Sequence, residues 1–424
     1  MREGISVADS IYYPTRSWKE SLLEKQDIDP GIFEKMLNAI KEDFRHVNSI
    51  LAIKNGSIIF EKYFNGYNKY SLQNTACIFK SFISAAVGTA LNKNIIGSLD
   101  ERIADIFKNQ VPDPIDENIR KITLKHALTN STGLNWRPPE YYSNPDNLIY
   151  DDIRLAFELD VISEPGRVFS YKPDPQILVY SLSHLSGEDF IKYVDANLFR
   201  PMGIVDYQWD PGFNTIEDLR LTARDIAKLG YLYLCNGTWE DKTLISNDYI
   251  AESTMPQIWA DYPEQGDFGY LWWISELHGN KVYYSSGFGG QYLYVIPRYD
   301  MIVVVTSRMD KPHPENKLIV RNLIEDISVS NKNAVTRRGW PVEKSLFSHY
   351  NLTKEDKGRL LDEIRNYFYQ ERDEQIGYIA SESLLEFFLN TLGKYIYNKA
   401  LDDVRTWFEK RMEDLESDFY AIYK

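Results

Sequence analysis

Asn74-Thr75-Ala76-Cys77-Ile78-Phe79-Lys80-Ser81-Phe82-Ile83-Ser84-Ala85-Ala86-Val87-Gly88 is the stretch that decides the fold. Apolar and small residues dominate from Ile78 onward, and Lys80 is the only charge. That pattern predicts a buried helix from about Cys77 to Asn92. With Cys77 first, Lys80 stands one turn later on the same face. A helix N-terminus favours an anion, and a nearby ammonium adds to that, so position 77 suits a thiolate nucleophile. A lysine beside a nucleophile can also serve as general base. Taken alone, Cys-x-x-Lys is more often a buried cysteine with an unrelated lysine, so its surroundings must decide.

Upstream, Pro30 to Val47 reads as an amphipathic helix, with Ile32, Phe33, Met36, Leu37, Ile40 and Phe44 at helical spacing. Ile50 to Phe60 reads as two β runs joined by Asn55-Gly56, a dipeptide that suits a two-residue type I′ turn. Downstream, Asn94 to about Ala260 mixes loops and helices. Strand patterns return at Tyr270–Ile274, Gln291–Ile296 and Met301–Val305, with Pro297–Asp300 as a turn. Strands at both ends of the first 330 residues predict one shared antiparallel sheet flanked by helices, with an all-α lobe between. The cleft between two such lobes is a usual place for a site.

Further segments follow in order. They are Ile95-Ile96-Gly97-Ser98-Leu99-Asp100, Ile122 to Leu134, Pro165 to Pro173, Leu219 to Gly230, and Ser285-Ser286-Gly287-Phe288-Gly289-Gly290-Gln291. With the Cys77 helix they resemble the serine β-lactamase and penicillin-binding-protein superfamily over about residues 45 to 310. The nearest likeness is to class C-like esterases and 6-aminohexanoate-dimer hydrolases. The resemblance implies the β-lactamase-like α+β fold, with Cys77 where the family carries serine. It implies that Lys80 and Tyr171 manage protons, and that the backbone N–H groups of Cys77 and Phe288 form an oxyanion hole. It places Ser285, Ser286 and Gly287 beside substrate on the sheet's edge-facing strand.

Two departures narrow the function. Pro173 stands where the Tyr-x-Asn motif has its asparagine, and Ser285 stands where the third motif has a cation. β-Lactam recognition normally uses that cation, so ordinary β-lactamase activity is the least favoured version. The expectation is a hydrolase for an amide or ester, of small-molecule or peptide-like kind, working through a Cys77 thioester. Thioesters also pass to amines, so aminolysis or transpeptidation stays open, as does a catalytically retired binding protein. Phe79 departs from the pattern too, as in a natural variant rather than a single exchange of serine for cysteine.

A second unit begins near Leu352, where the composition turns helical and highly charged. The expected division is 1–330 for the acyl-transfer domain, 331–351 for a linker and 352–424 for a small helical domain. Three apolar stripes are expected there, around Leu361, Leu385 and Trp407. Through Glu374-Gln375-Ile376-Gly377, Leu384 to Phe388 and Gly393 to Asn398 this tail resembles a small bacterial helical family of unknown function, and it reads as a module for a protein partner or for homo-oligomerisation. The net charge of −14 argues against nucleic acid. Neither a signal peptide nor an eighteen-residue apolar run is visible, so a cytoplasmic protein without a membrane span is expected. Two cysteines and six scattered histidines suggest neither a disulfide nor a zinc site, and no cofactor is expected. Cys235 is read as an incidental thiol. Asp151-Asp152 reads as part of a solvated acidic face, and the resemblance places Tyr141 and Tyr142 in the loop where related hydrolases carry substrate-contacting aromatics. The aromatic cluster of Tyr270, Trp272, Trp273, Tyr283, Tyr284 and Phe288 reads mostly as core.

Overall fold

Asn55 and Gly56 adopt φ values of 49° and 73°. Both are positive, as a type I′ turn requires. The turn joins strand β2 (Val47–Lys54) to β3 (Ser57–Tyr63), after a short β1 (Lys19–Glu20). Later come β4 (Ile258–Ala260), β5 (Gly266–Phe268), β6 (Trp273–Leu277), β7 (Asn280–Gly287), β8 (Gln291–Ile296) and β9 (Met301–Ser307). They form one nine-stranded sheet in the order β1-β3-β2-β9-β8-β7-β6-β5-β4. Only the β1–β3 pairing is parallel. N-terminal β2 therefore pairs with C-terminal β9, with Val303 opposite Ala52. The computed structural model describes residues 11–136, 153–209, 219–330 and 354–372, with Leu385 and Phe388. The chain divides into two compact units, Met1–Glu343 and Lys344–Lys424.

Strands β2, β8 and β9 are buried almost throughout, because helices cover both faces. Helix α1 (Pro30–Asp43) buries Ile32, Phe33, Met36 and Ile40. Its Phe33 ring stacks on Phe60 of β3 at 4.7 Å. It ends three residues short of His46 because Phe44 leaves the helical region at φ −120°. Helix α2 (Phe79–Asn92) is buried from Phe79 to Ala90, the mark of a central helix. Helix α3 (Pro175–Ser186) packs against it. Helix α4 (Ala223–Leu234) lies on the sheet, and Gly230 lets it approach Leu293, Val295 and Ile302. Helix α5 (Lys317–Ser330) joins α1 through a 2.9 Å Lys35–Asp326 ion pair.

Two strand expectations need correction. Tyr270–Ile274 is not one strand: Leu271 takes φ 60° and β6 begins only at Trp273. The kink lets Leu271 bond the helical lobe, its N–H donating to the Leu128 carbonyl at 3.0 Å. Strand β7 is not an outer strand, since β6, β5 and β4 lie beyond it. The β6–β7 pairing ends at Trp273 opposite Tyr284, however, whereas β8 follows β7 to Gly287. Ser285, Ser286 and Gly287 thus pair on the β8 side only.

In the second unit, helix α6 (Lys354–Arg372) buries Leu361, leaves Leu360, Ile364 and Phe368 half-buried and exposes Tyr367. Most of the other two expected stripes lies outside the described residues, although Leu385 is buried.

Candidate active site

Three segments meet at the corner that carries Cys77. The first is the turn that carries Cys77. Gln73 and Asn74 pair with Leu221 and Arg220, and the Thr75 N–H donates to the Leu219 carbonyl at 2.9 Å. Ala76 then adopts φ 45°, a left-handed conformation that costs a non-glycine residue on the order of 1–3 kcal/mol. Asn74 Oδ1 holds it there, accepting from the Ala76 N–H at 2.7 Å. Ala76–Ile78 form a 3-10 turn, and α2 follows at Phe79. Cys77 therefore lies in a turn just ahead of the α-helix, not at its first residue. The left-handed backbone at Ala76 re-aims the chain and delays the regular helix. Cys77 is partly exposed and carries a free thiol.

The second segment brings Tyr171 over Lys80. Lys80 is buried at 7% exposure, and its Nζ lies 3.7 Å from the centre of the Tyr171 ring. The ammonium meets the negative face of the ring, a cation–π contact. Asn130 sets the Tyr171 loop. Its Nδ2 donates to the carbonyls of Ser170 at 3.2 Å and Lys172 at 2.9 Å, and its own backbone carbonyl accepts from the Ser170 N–H at 2.8 Å. The residues flanking the tyrosine are thus clamped.

The third segment is the turn after β7. A side chain at Gly287 would put its Cβ 2.8 Å from Ala76 Cβ and 3.0 Å from the Cys77 nitrogen. Only glycine allows this approach. Phe288 follows, with its side chain exposed. Ser285 is buried and shares a 2.9 Å hydrogen bond with Ser81 Oγ. The place expected for a cation therefore holds a neutral, hydrogen-bonded pair. Ser286 is buried beside it.

One residue has no counterpart among the sequence expectations. Asp174 is buried, three positions after Tyr171. Its carboxylate accepts from the Thr132 N–H at 3.1 Å, Thr132 Oγ1 at 2.8 Å and Trp136 Nε1 at 2.7 Å. Burial pushes its pKa up to about 6, against the pull of those donors and of the Lys80 charge. It lies just beyond the family-like Tyr-Lys-Pro, where a buried partner for Lys80 could have been sought. His126, in the same family-like segment as Thr132, has a structural role. It completes a capping box with Thr123, and burial lowers its pKa. Tyr141, Tyr142, Asp151 and Asp152 lie outside the described residues. Cys235 is buried at the end of α4.

A lysine-bearing helix, a tyrosine loop and a glycine turn at the Cys77 corner define the class: a hydrolase fold of the β-lactamase type. Residues 45–325 match the family model described as Beta-lactamase, and the chain belongs to that family. Residues 351–423 match the family described as Uncharacterized conserved protein (DUF2164). The chain is 30% identical over 181 residues to "Putative penicillin-binding protein PbpX" of Bacillus subtilis (strain 168), a match covering 40% of this chain and 43% of that protein. It thus spans less than half the length of that relative. Among solved structures, "Putative 6-aminohexanoate-dimer hydrolase from Bacillus anthracis" superposes with a TM-score of 0.59 at 20% identity, over 76% of this chain and 89% of that one. "EstCE1, a hydrolase with promiscuous acyltransferase activity" gives 0.58 at 15% identity, over 71% of this chain and 98% of that one. Among the described residues, no helix is long and apolar enough to cross a membrane.

Proposed function

We propose that residues 1–330 act as an amidase or esterase that forms a thioester on Cys77. The observation that carries this reading is the approach of the Gly287 turn to the Cys77 nitrogen. In this reading the Phe288 N–H stands beside the Cys77 N–H, and the two serve as donors for one developing oxyanion. Cys77 Sγ attacks the substrate carbonyl carbon, and a tetrahedral oxyanion forms between those donors. The bond to the leaving oxygen or nitrogen breaks, and the leaving group takes the thiol's proton by way of Lys80 and Tyr171. Water then attacks the thioester, the acid departs and Cys77 regains its proton. An amine in place of water gives aminolysis, and the promiscuous acyltransferase activity of EstCE1 is a precedent for acyl transfer on this fold. The substrate is a small or peptide-like acyl compound without an obligatory carboxylate, because Ser285 offers no cation.

The reading is tested by intact mass after exposure to activated esters, penicillins and short amides. An adduct on the native chain, absent from Cys77→Ala, supports it. No adduct, or an equal adduct on the variant, overturns it. A second reading, a retired binding protein, is favoured by Pro173 and by the Ser81–Ser285 pair. It requires ligand binding that survives Cys77→Ala with no turnover, and Cys77-dependent turnover excludes it. Residues 352–424, joined through 331–351, would be an association module. Light scattering of the full chain against Leu361→Asp tests that role.

A further inference from the structure

The Gly287–Gly290 turn has two ends. One meets the nucleophile corner. The other rests on a buried polar chain that the acyl-transfer steps do not use. Asn316 is fully buried, and its Nδ2 donates to the Gly290 carbonyl at 2.9 Å and to Ser307 Oγ at 3.0 Å. Ser307 Oγ donates in turn to the Gly289 carbonyl. Gln291 closes a second loop, donating to the Ser307 carbonyl at 2.8 Å and accepting from its N–H at 3.1 Å. With both Nδ2 hydrogens spent, Asn316 Oδ1 accepts from His46 Nε2 at 2.7 Å. The His46 ring lies flat on that of His313, 3.6 Å apart and 5° from parallel.

His46, His313 and Glu315 offer three donor atoms within 4.8 Å of one another. Parallel rings aim their in-plane lone pairs side by side, and His46 Nε2 is committed to Asn316. A tetrahedral ion needs convergent lone pairs, so the cluster is built as a brace and not as a cage.

What it braces follows from peptide planarity. The Gly290 N–H donates to the Gly287 carbonyl at 3.1 Å. In a trans peptide the C=O and N–H point in opposite directions, so this bond orients the Phe288 N–H. We propose that Asn316 is a positioning residue for the oxyanion donor at Phe288, acting through Gly290 and backed by His46. The proposal rests on the acyl-transfer reading above.

The test uses the full chain with Asn316→Ala, and compares an activated ester with iodoacetamide, which alkylates Cys77 without an oxyanion. Expected are a fall in kcat of about tenfold or more with KM within about twofold, an unchanged alkylation rate, and faster amide exchange over residues 285–291. His46→Gln, which keeps a donor for Asn316 Oδ1, is expected to retain activity that His46→Ala loses. Ser307→Ala, which cuts only the Gly289 link, replaces Asn316→Ala if that chain does not fold. Unchanged exchange over residues 285–291, or equal losses in acylation and alkylation, overturns the proposal. A native chain with no Cys77-dependent acylation overturns the functional reading instead, and the exchange result then decides the brace alone.

Discussion

Lys80 Nζ sits 3.7 Å above the Tyr171 ring, so the tyrosine meets the lysine with its face. The ring and the hydroxyl can therefore be separated. Tyr171→Phe keeps the ring under Lys80 and removes the hydroxyl that the proposed function uses as proton carrier. It is expected to lower kcat by about 100-fold, the low end for a general acid–base group, with little change in stability. Tyr171→Leu removes both and is expected to lose about 1–2 kcal/mol of stability as well. Ester turnover and urea unfolding of the two variants check this. Full activity in Tyr171→Phe would leave the residue a holder of Lys80 and nothing more.

Asp174 makes stability depend on pH in the direction opposite to most carboxylates. Its folded pKa, about 6, lies above the ordinary 3.8. The fold therefore binds this proton more tightly than the unfolded chain does. The stabilisation is complete below pH 3.8 and is lost as pH rises through 6. The difference between the two values corresponds to about 3 kcal/mol as an upper bound. Urea unfolding of the native chain and Asp174→Asn from pH 4 to 7 reads it directly. The native chain should lose stability relative to the variant across that window. Lys80→Met should move the window upward, because the charge that holds the carboxyl down is gone.

Gly287→Ala is expected to separate the two proposed oxyanion donors without unfolding the chain. The added methyl group would meet Ala76 Cβ at 2.8 Å and the Cys77 nitrogen at 3.0 Å, and the turn must retreat. Losing one such donor costs about 100-fold or more in kcat. Gly358→Ala is the control, because its Cβ would meet nothing within 4 Å. Turnover, thermal unfolding and Cys77 alkylation of both variants check the difference.

How much of the fold and site is legible in the sequence varies with range. The Asn55-Gly56 turn and the strand around Val303 are readable because turn chemistry and a short run of β-branched apolar residues are local. The break at Leu271 is not, because its left-handed backbone serves a bond to Leu128 on another element. Asp174 escapes a sequence reading for the same reason. Its donors come from Thr132 and Trp136, distant in sequence, and nothing local distinguishes it from any aspartate before a proline. The His46–Asn316 brace likewise joins the two ends of the first unit. Family-like motifs locate Cys77, Lys80 and Tyr171, but the contacts that orient them arise only in three dimensions.

Ser285 sets how the site should respond to substrate charge. In a site built for carboxylates, a cation at this position would meet the anion. Here Ser81 Oγ donates to the Leu271 carbonyl at 2.8 Å and is hydrogen-bonded to Ser285 Oγ at 2.9 Å, so the space is filled by a neutral, satisfied pair. A carboxylate brought there would lose its hydration and gain no counter-charge, a cost that binding must absorb. Neutral activated esters should therefore acylate Cys77 faster than penicillins of comparable reactivity. Charge-assisted hydrogen bonds are worth about 1.5–3 kcal/mol, so the gap should be about tenfold to 100-fold. Ser285→Lys would not simply restore the preference. It breaks the bond with Ser81 and puts an ammonium at a position only 3% exposed, so a loss of stability should accompany any gain in penicillin reactivity. Rates of adduct formation by mass spectrometry, with urea unfolding of the variant, test both halves. Equal acylation of the native chain by penicillins and neutral esters would mean that another group supplies the missing charge.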